Sequence, residues 1–237
     1  MKKNKIILLS IIVVTFFLQV YVFYDYPLTY YQNGFAIGLN KDSAGGDIIY
    51  VLIPAFFILF FTSGSVYEMT HGYGKLFVIR NYSKTKLMLR KILKITIAVL
   101  LIVCVQYLVF CCFNHLLTPV SGGVTESLLM YFVILLALVM FQHLLEFYLP
   151  IQIVNLSLFI YSYFSYYVIR NDAFSSSNPI SESIWVKLLL WPSLLFGVNN
   201  GAVDGDPVYG VFLTAGICLN LLLVVLCIRK FKKTDIF

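Results

Sequence analysis

The chain has 237 residues, of which 60% are hydrophobic and only 12% are charged, and its formal net charge is +6. Soluble globular domains carry roughly 25% charged residues, so this composition excludes an ordinary soluble domain and predicts an integral membrane protein. The basic excess does not indicate nucleic-acid binding, because the sidedness of a membrane protein accounts for it.

Runs of about 20 apolar residues, the length needed to cross a bilayer, predict an all-α fold in which residues 1–237 form a single domain of six membrane spans. The predicted spans are Ile6–Tyr24, Ile48–Gly64, Ile92–Phe113, Ser127–Leu149, Ile151–Ile169 and Val208–Ile228. The first run has the basic start of a signal peptide but no small-residue cleavage site, so we interpret it as an uncleaved span. Proline ends a helix at the residue before it, so a tight turn is predicted at Pro150, between spans four and five.

Basic residues divide unequally between the two sides of this six-span map. Fourteen of the 17 Lys and Arg residues fall on the side that holds both termini and the loop between spans two and three. Because cytoplasmic loops are enriched in Lys and Arg, both termini are predicted to be cytoplasmic. The apolar segment 180–198, interrupted by Lys187 and Pro192, would then form short helices on the outer face between spans five and six rather than a seventh span.

The cytoplasmic loop after span two reads SVYEMTHGYGKLFVIRNYSKTKLMLRK, from Ser65 to Lys91. Apolar residues within 66–79 follow the spacing of one helix face, which predicts an amphipathic helix with Glu68 in its first turn. Asn81 and Ser83 are candidate N-caps of a second helix that runs into span three. An apolar helix face outside the membrane must bury against the lipid surface or against a partner protein, and the residues alone favour neither.

This loop resembles the first cytoplasmic loop of ABC-2 type transporter permeases. In that family a Glu after span two precedes a glycine-containing coupling helix, a polar turn and a Lys that opens span three. The residues that fit this order are Glu68, Gly72 or Gly74, the apolar run 76–79, Arg80, Ser83 and Lys91. The six-span layout fits as well, and the small size resembles the permeases of Gram-positive peptide and bacteriocin exporters. The amphipathic helix that many members carry before span one does not fit in the short N-terminus MKKNK.

The resemblance implies a subunit that is not itself an enzyme and belongs to an exporter that moves an amphipathic peptide or lipid-like molecule out of the cell. The chain has no phosphate loop of the form GxxxxGK[ST], so a separate cytoplasmic ABC ATPase would bind ATP and Mg²⁺. That ATPase is expected to dock on the coupling helix at Glu68, Met69, Tyr73, Leu76 and Phe77. Such a permease is half of a pore, so a second copy or a paralogue is expected to complete a homo- or heterodimer.

Tyrosines form the first group of candidate residues inside the spans. Tyr161, Tyr163, Tyr166 and Tyr167 cluster toward the outer end of span five. They form either an interfacial aromatic belt or the lining of a substrate path.

Ionisable and amide side chains form the second group. His143 and Glu146 lie at i and i+3 near the inner end of span four, and they predict a structural polar contact, because a third ligand for a catalytic metal is not found. Gln106 and Asn155, in the middle of spans, are predicted to bond across helices.

Two other functions fit the same map of spans. One is a non-transport membrane protein, such as an immunity or sensor protein that binds a peptide at its outer loops. The other is an intramembrane enzyme that uses His143 and Glu146, although the metalloprotease motif HExxH is absent. The permease is the first hypothesis, and it places the chain in the cell membrane as a multi-pass protein.

Overall fold

The computed structural model of the chain describes residues 6–14, 46–71, 83–115, 124–173, 189, 191–192 and 207–234. These residues form helices and the turns beside them, and no strand occurs within the described ranges. The predicted all-α fold class is therefore confirmed for that part of the chain.

The described part of the chain contains seven helices. They are α1 (residues 6–14), α2 (Gly46–Thr62), α3 (Ser65–His71), α4 (Lys84–His115), α5 (Val124–Leu145), α6 (Ile151–Ala173) and α7 (Pro207–Lys233). The short helix α3 is the first part of the amphipathic helix predicted over 66–79, whose remainder lies outside the described residues. Of the predicted outer helices only Leu189, Trp191 and Pro192 are described.

The boundaries of α4, α5 and α6 have local causes. The carbonyl of Ser83 accepts a hydrogen bond from the Leu87 amide (3.1 Å), so α4 begins where the sequence predicts it. Helix α5 ends at Leu145, four residues before the predicted end of span four. The chain turns there before Pro150, and the Tyr148 amide donates to the Leu145 carbonyl (2.9 Å). The Pro150 carbonyl accepts from the Val154 amide (3.1 Å), and α6 starts directly after this proline. Proline is tolerated there because the first turn of a helix leaves its amides unpaired.

Helix α5 is the centre of the bundle, in contact with α2, α4, α6 and α7. Its closest neighbour is α7, where a Cβ atom at Gly216 would lie only 2.8 Å from Cγ1 of Val133. The absence of a side chain at Gly216 therefore permits this approach. The side-chain amide of Asn220, one turn further along α7, donates to the Val133 carbonyl (2.9 Å) and fastens the two helices.

One end of the bundle, called here the basic end, is formed by residues 62–71, 83–94, 142–155 and 228–234. The ammonium group of Lys84 donates to the carbonyl of Thr234 (2.9 Å), which joins the start of α4 to the end of α7. The ammonium of Lys230 lies 4.1 Å from the ring centre of Tyr148, in the turn after α5. At this end lie the C-terminal ends of α2, α5 and α7 and the N-terminal ends of α4 and α6. This alternation of helix directions is what an up-and-down arrangement requires.

Two features of the side-chain distribution differ from those of a typical soluble bundle. Gln142, Asn155 and Asn220 are buried, whereas large apolar side chains project outward along α4, α6 and α7. By length and composition, one helix among the described residues, Gly210–Lys233, can cross a membrane, and only 22% of its most apolar stretch is buried. A core helix of a soluble protein would be mostly buried, so this exposure favours membrane association. The other predicted spans remain predictions.

Candidate functional site

The turn between α2 and α3, called here the elbow, consists of Ser63 and Gly64. Gly64 has a φ of 72°, a left-handed conformation that glycine adopts without the steric cost of a Cβ atom. A Cβ atom at this position would also lie 3.4 Å from Cδ1 of Ile151, the first residue of α6. The elbow therefore changes the chain direction sharply in the space beside the start of α6.

The carboxylate of Glu146 holds the start of α3. It accepts hydrogen bonds from the amides of Gly64 (2.9 Å) and Val66 (3.3 Å). Amides at a helix start have no partner within the helix and carry partial positive charge, so a carboxylate is a favourable acceptor for them. Glu146 directly follows α5, and this contact therefore fixes the position of α3 relative to the central helix.

A second contact between α3 and α5 joins Ser65 to His143, both fully buried. Nδ1 of His143 lies 2.6 Å from the carbonyl oxygen of Val139, which can only accept, so Nδ1 carries the proton. In the neutral imidazole Nε2 is then an acceptor, and the Ser65 hydroxyl donates to it. His143 and Glu146 thus make the structural polar contacts that the sequence predicts, His143 to α3 and Glu146 to the elbow and α3.

Beneath the elbow, Gln142 joins three helices. Its side-chain amide nitrogen donates to the Leu59 carbonyl of α2 (2.9 Å) and to Oδ1 of Asn155 on α6 (2.8 Å). Its side-chain oxygen accepts from the Thr62 hydroxyl (3.1 Å). Buried polar groups are costly without partners, and these contacts satisfy the side-chain amide of Gln142 and the side-chain oxygen of Asn155. The prediction that Asn155 bonds across helices is confirmed.

Sequence reasoning missed Thr62, Ser65 and Gln142 in this cluster. Gln142 had a visible signal, because it stands beside His143 in an otherwise apolar run, and polar residues in such runs are rarely incidental. Thr62 and Ser65 had none, since hydroxyl residues are common where a span ends.

An ion pair connects α3 to α4 on the outer side of the cluster. Lys91 donates to a carboxylate oxygen of Glu68 at 3.2 Å, and the two side chains are 23% and 31% exposed. At this exposure, solvent screening limits such a pair to about 1 kcal/mol or less. Together with His143 on α5 and Glu146 directly after it, the pair ties α3 to the neighbouring long helices.

The predicted docking residues have different surroundings. Glu68 faces Lys91 of its own chain, and Met69 is buried in the core at 5% exposure, whereas Tyr67 is 58% exposed. Tyr73, Leu76 and Phe77 lie outside the described residues. The docking role of this segment stays a prediction.

The predicted tyrosine path divides between two sides of α6. The Tyr161 hydroxyl donates to the Leu189 carbonyl, and its ring meets that of Trp191 edge-on at 6.3 Å between centres. The rings of Tyr163 and Tyr167 stack at 6.4 Å on the exposed side. Tyr166 is on the same helix, but its side chain lies outside the described part. Tyr161 therefore anchors the segment after α6, and the outward pair forms a separate surface.

Among the residues that the structure describes, no group of three or more His, Cys, Asp or Glu side chains is placed to hold a metal ion.

Together these features define an all-helical protein with a helix able to cross a membrane and a short helix held by polar contacts at one end of the bundle. The chain belongs to the family described as "Protein of unknown function (DUF2705)", whose model matches residues 7–237. It is similar to the uncharacterized protein YybK of Bacillus subtilis (strain 168), with 25% identity over 215 residues that cover 86% of this chain and 85% of that protein. No solved structure matches the chain.

Proposed function

We propose that this protein is the membrane-spanning permease subunit of an ATP-driven exporter of the ABC-2 type. In this proposal six spans place both termini in the cytoplasm, and two permease chains form the pore. A separate ATPase binds ATP and Mg²⁺ and docks on segment 66–79. The cargo is an amphipathic peptide or lipid-like molecule that moves out of the cell.

The outward apolar faces of the long helices support the membrane part of this proposal. Exposed fractions reach 61% at Leu101, 60% at Leu156 and 62% at Leu221, on three different helices. Soluble monomers rarely expose contiguous apolar patches larger than a few hundred Å². Amide side chains lie inside and bond across helices, as is common in membrane bundles.

The attachment of α3 is the observation that carries the transport part. A helix that receives an ATPase must pass its displacement to the spans, and a loosely tethered helix would absorb the motion. Helix α3 is joined to α2 through a two-residue elbow, to α5 through Glu146 and His143, and to α4 through Lys91. Displacement of α3 would therefore act on three long helices at once.

Purification of the protein from its native cells tests the proposal. We expect a chain with a phosphate loop and an ABC signature to co-purify and to hydrolyse ATP. Truncation of a buried interface anchor costs about 2 kcal/mol or more, roughly thirtyfold in affinity, so Tyr73→Ala with Phe77→Ala should release this ATPase or uncouple it. For ATPase binding the matched control is Tyr163→Ala with Tyr167→Ala, which removes two exposed aromatic rings from α6, outside the docking segment, and should leave the ATPase bound.

Retention of the ATPase and of full transport by the Tyr73 and Phe77 variant would contradict the docking assignment. Purification without any ATPase, combined with binding of a peptide added from outside, would favour the immunity or sensor alternative. Topology is tested separately by labelling introduced cysteines in intact cells. A cysteine at Asp204 should react with an impermeant reagent and one at Lys84 should not, and the reverse pattern would overturn the map.

A further inference from the structure

We infer that the outward face of α4 is a binding site for an anionic phospholipid of the leaflet at the basic end. The face, called here the α4 stripe, begins with Lys86, Arg90 and Lys94 and continues into four aliphatic side chains. These are Ile97, Leu101, Val105 and Leu108.

Helical spacing places the seven side chains in one line. At 3.6 residues per turn they fall within about 100° of arc around the helix axis. All seven are exposed, with fractions of 47% at Ile97, 61% at Leu101 and 60% at Leu108. The opposite face of α4 is buried in the bundle core. The stripe therefore faces away from the rest of the described chain along its whole length.

The dimensions of the stripe match one leaflet. From Ile97 to Leu108 the helix rises about 17 Å, close to half of the roughly 30 Å hydrocarbon core. The cationic part lies at the end nearer the start of α4, in line with the aliphatic part. An amphiphile with an anionic head and long acyl chains presents the complementary pattern.

The charge of the stripe is not neutralised within the described chain. Glu68 is paired with Lys91, and the Glu146 carboxylate receives the amides of Gly64 and Val66. Lys86, Arg90 and Lys94 make no ion pair with a carboxylate among the described residues. The positive potential of the N-terminal end of α4 adds to theirs near Lys86.

This pattern favours lipid over the protein occupants that the proposed function includes. A second copy placed symmetrically on the stripe would oppose three cations with three cations, and like charges in close contact are strongly disfavoured. A cytoplasmic ATPase could cover the cations but would leave the aliphatic part exposed. An anionic amphiphile satisfies both parts. The inference uses the membrane location in the proposed function and does not depend on the ATPase.

The test measures the thermal unfolding of the full-length protein in detergent as lipid is added. We expect phosphatidylglycerol to raise the unfolding midpoint and phosphatidylcholine to have little effect. Inorganic phosphate should also have little effect, because it lacks acyl chains. Each cation near an anionic surface contributes about fivefold in binding affinity. Lys86→Gln/Arg90→Gln/Lys94→Gln should therefore raise the phosphatidylglycerol concentration needed for the same shift of the midpoint about a hundredfold.

Two further variants make the result specific. Lys2→Gln/Lys3→Gln/Lys5→Gln removes the same charge elsewhere and should keep the wild-type response. Lys86→Arg/Arg90→Lys/Lys94→Arg preserves the charge and should also keep the wild-type response. It shows that the α4 positions tolerate substitution. Any of three results would overturn the inference. They are equal losses in the two triple glutamine variants, an equal response to phosphatidylcholine, and a full response to phosphate alone. A wild-type protein that remains soluble without detergent would instead refute the membrane location in the proposed function.

Discussion

Replacement of Glu146 should loosen α3 without unfolding the bundle. In Glu146→Ala the amides of Gly64 and Val66 lose the carboxylate that accepts from them at 2.9 and 3.3 Å. Loss of an N-cap contact costs about 0.5–2 kcal/mol, and hydrogen bonds to a charged group lie at the upper end of the usual range. Glu146 is only partly buried, so we expect about 2 kcal/mol for both contacts together, near thirtyfold in the local opening equilibrium.

Hydrogen exchange of the backbone amides reports this opening directly. Amides of residues 66–71 in Glu146→Ala should exchange about thirtyfold faster, whereas amides in the middle of α5 should keep their protection. Glu146→Gln retains one acceptor oxygen and loses the charge, so its effect should be intermediate. Under the proposed function, the alanine variant should also keep its ATPase bound while transport falls, because displacement of α3 no longer reaches α5.

Glu68→Gln is the matched control, because it removes a carboxylate of α3 itself but breaks only the partly exposed ion pair with Lys91. Its effect on exchange should stay below about fivefold, as expected for a screened surface pair. Acceleration in Glu146→Ala no greater than in this control would contradict the role of the Glu146 carboxylate. Acceleration that extends equally through α5 would also contradict it, because the change would then be global unfolding.

Three further predictions concern packing and the outward tyrosines. Gly216→Ala should destabilise the bundle by about 1–3 kcal/mol in reversible unfolding, because its Cβ would overlap a valine of α5, whereas Gly210→Ala, with open space around it, should be neutral or slightly stabilising. Gln142→Leu should cost about 1–3 kcal/mol in the same assay, because it removes the donor to the buried Oδ1 atom of Asn155 on α6. If Tyr163 and Tyr167 contact cargo, their double alanine variant should export less while keeping the wild-type amount of folded protein; a reduced amount would favour the aromatic-belt interpretation.

Local chemistry made several boundaries of the fold predictable. Pro150 lies between α5 and α6, because proline fits the position just before the first turn of a helix, and α4 starts directly after Ser83, one of the two predicted N-caps. The end of α5 was predicted less accurately, because the apolar residues continue through Phe147 and Leu149 although the helix has already ended. Hydropathy reports the environment of a residue, and it does not report where the backbone leaves the helix.

For the contacts that His143 and Glu146 make in the candidate site, the sequence identifies one of the two partners and not the other. The sequence shows His143 and Glu146 at one helix spacing, and their polarity in an apolar run indicates that each has a partner. It does not show that the partners are Ser65 and the amides at Gly64 and Val66, about 80 positions earlier. A backbone amide carries no sequence signature, so its acceptor becomes visible only when the helices are placed side by side.

The basic residues at the start of α4 have two different roles in the folded chain, and the sequence alone does not distinguish them. In the sequence these lysines and arginines form one continuous signal, which the positive-inside rule explains completely. In the folded chain, Lys84 turns toward the carbonyl end of α7 and Lys91 toward Glu68, so these two stabilise the basic end from within. The three cations of the α4 stripe turn outward, in line with aliphatic side chains. Position around the helix axis, rather than charge, therefore decides which of these cations holds the fold together and which remains available to a lipid.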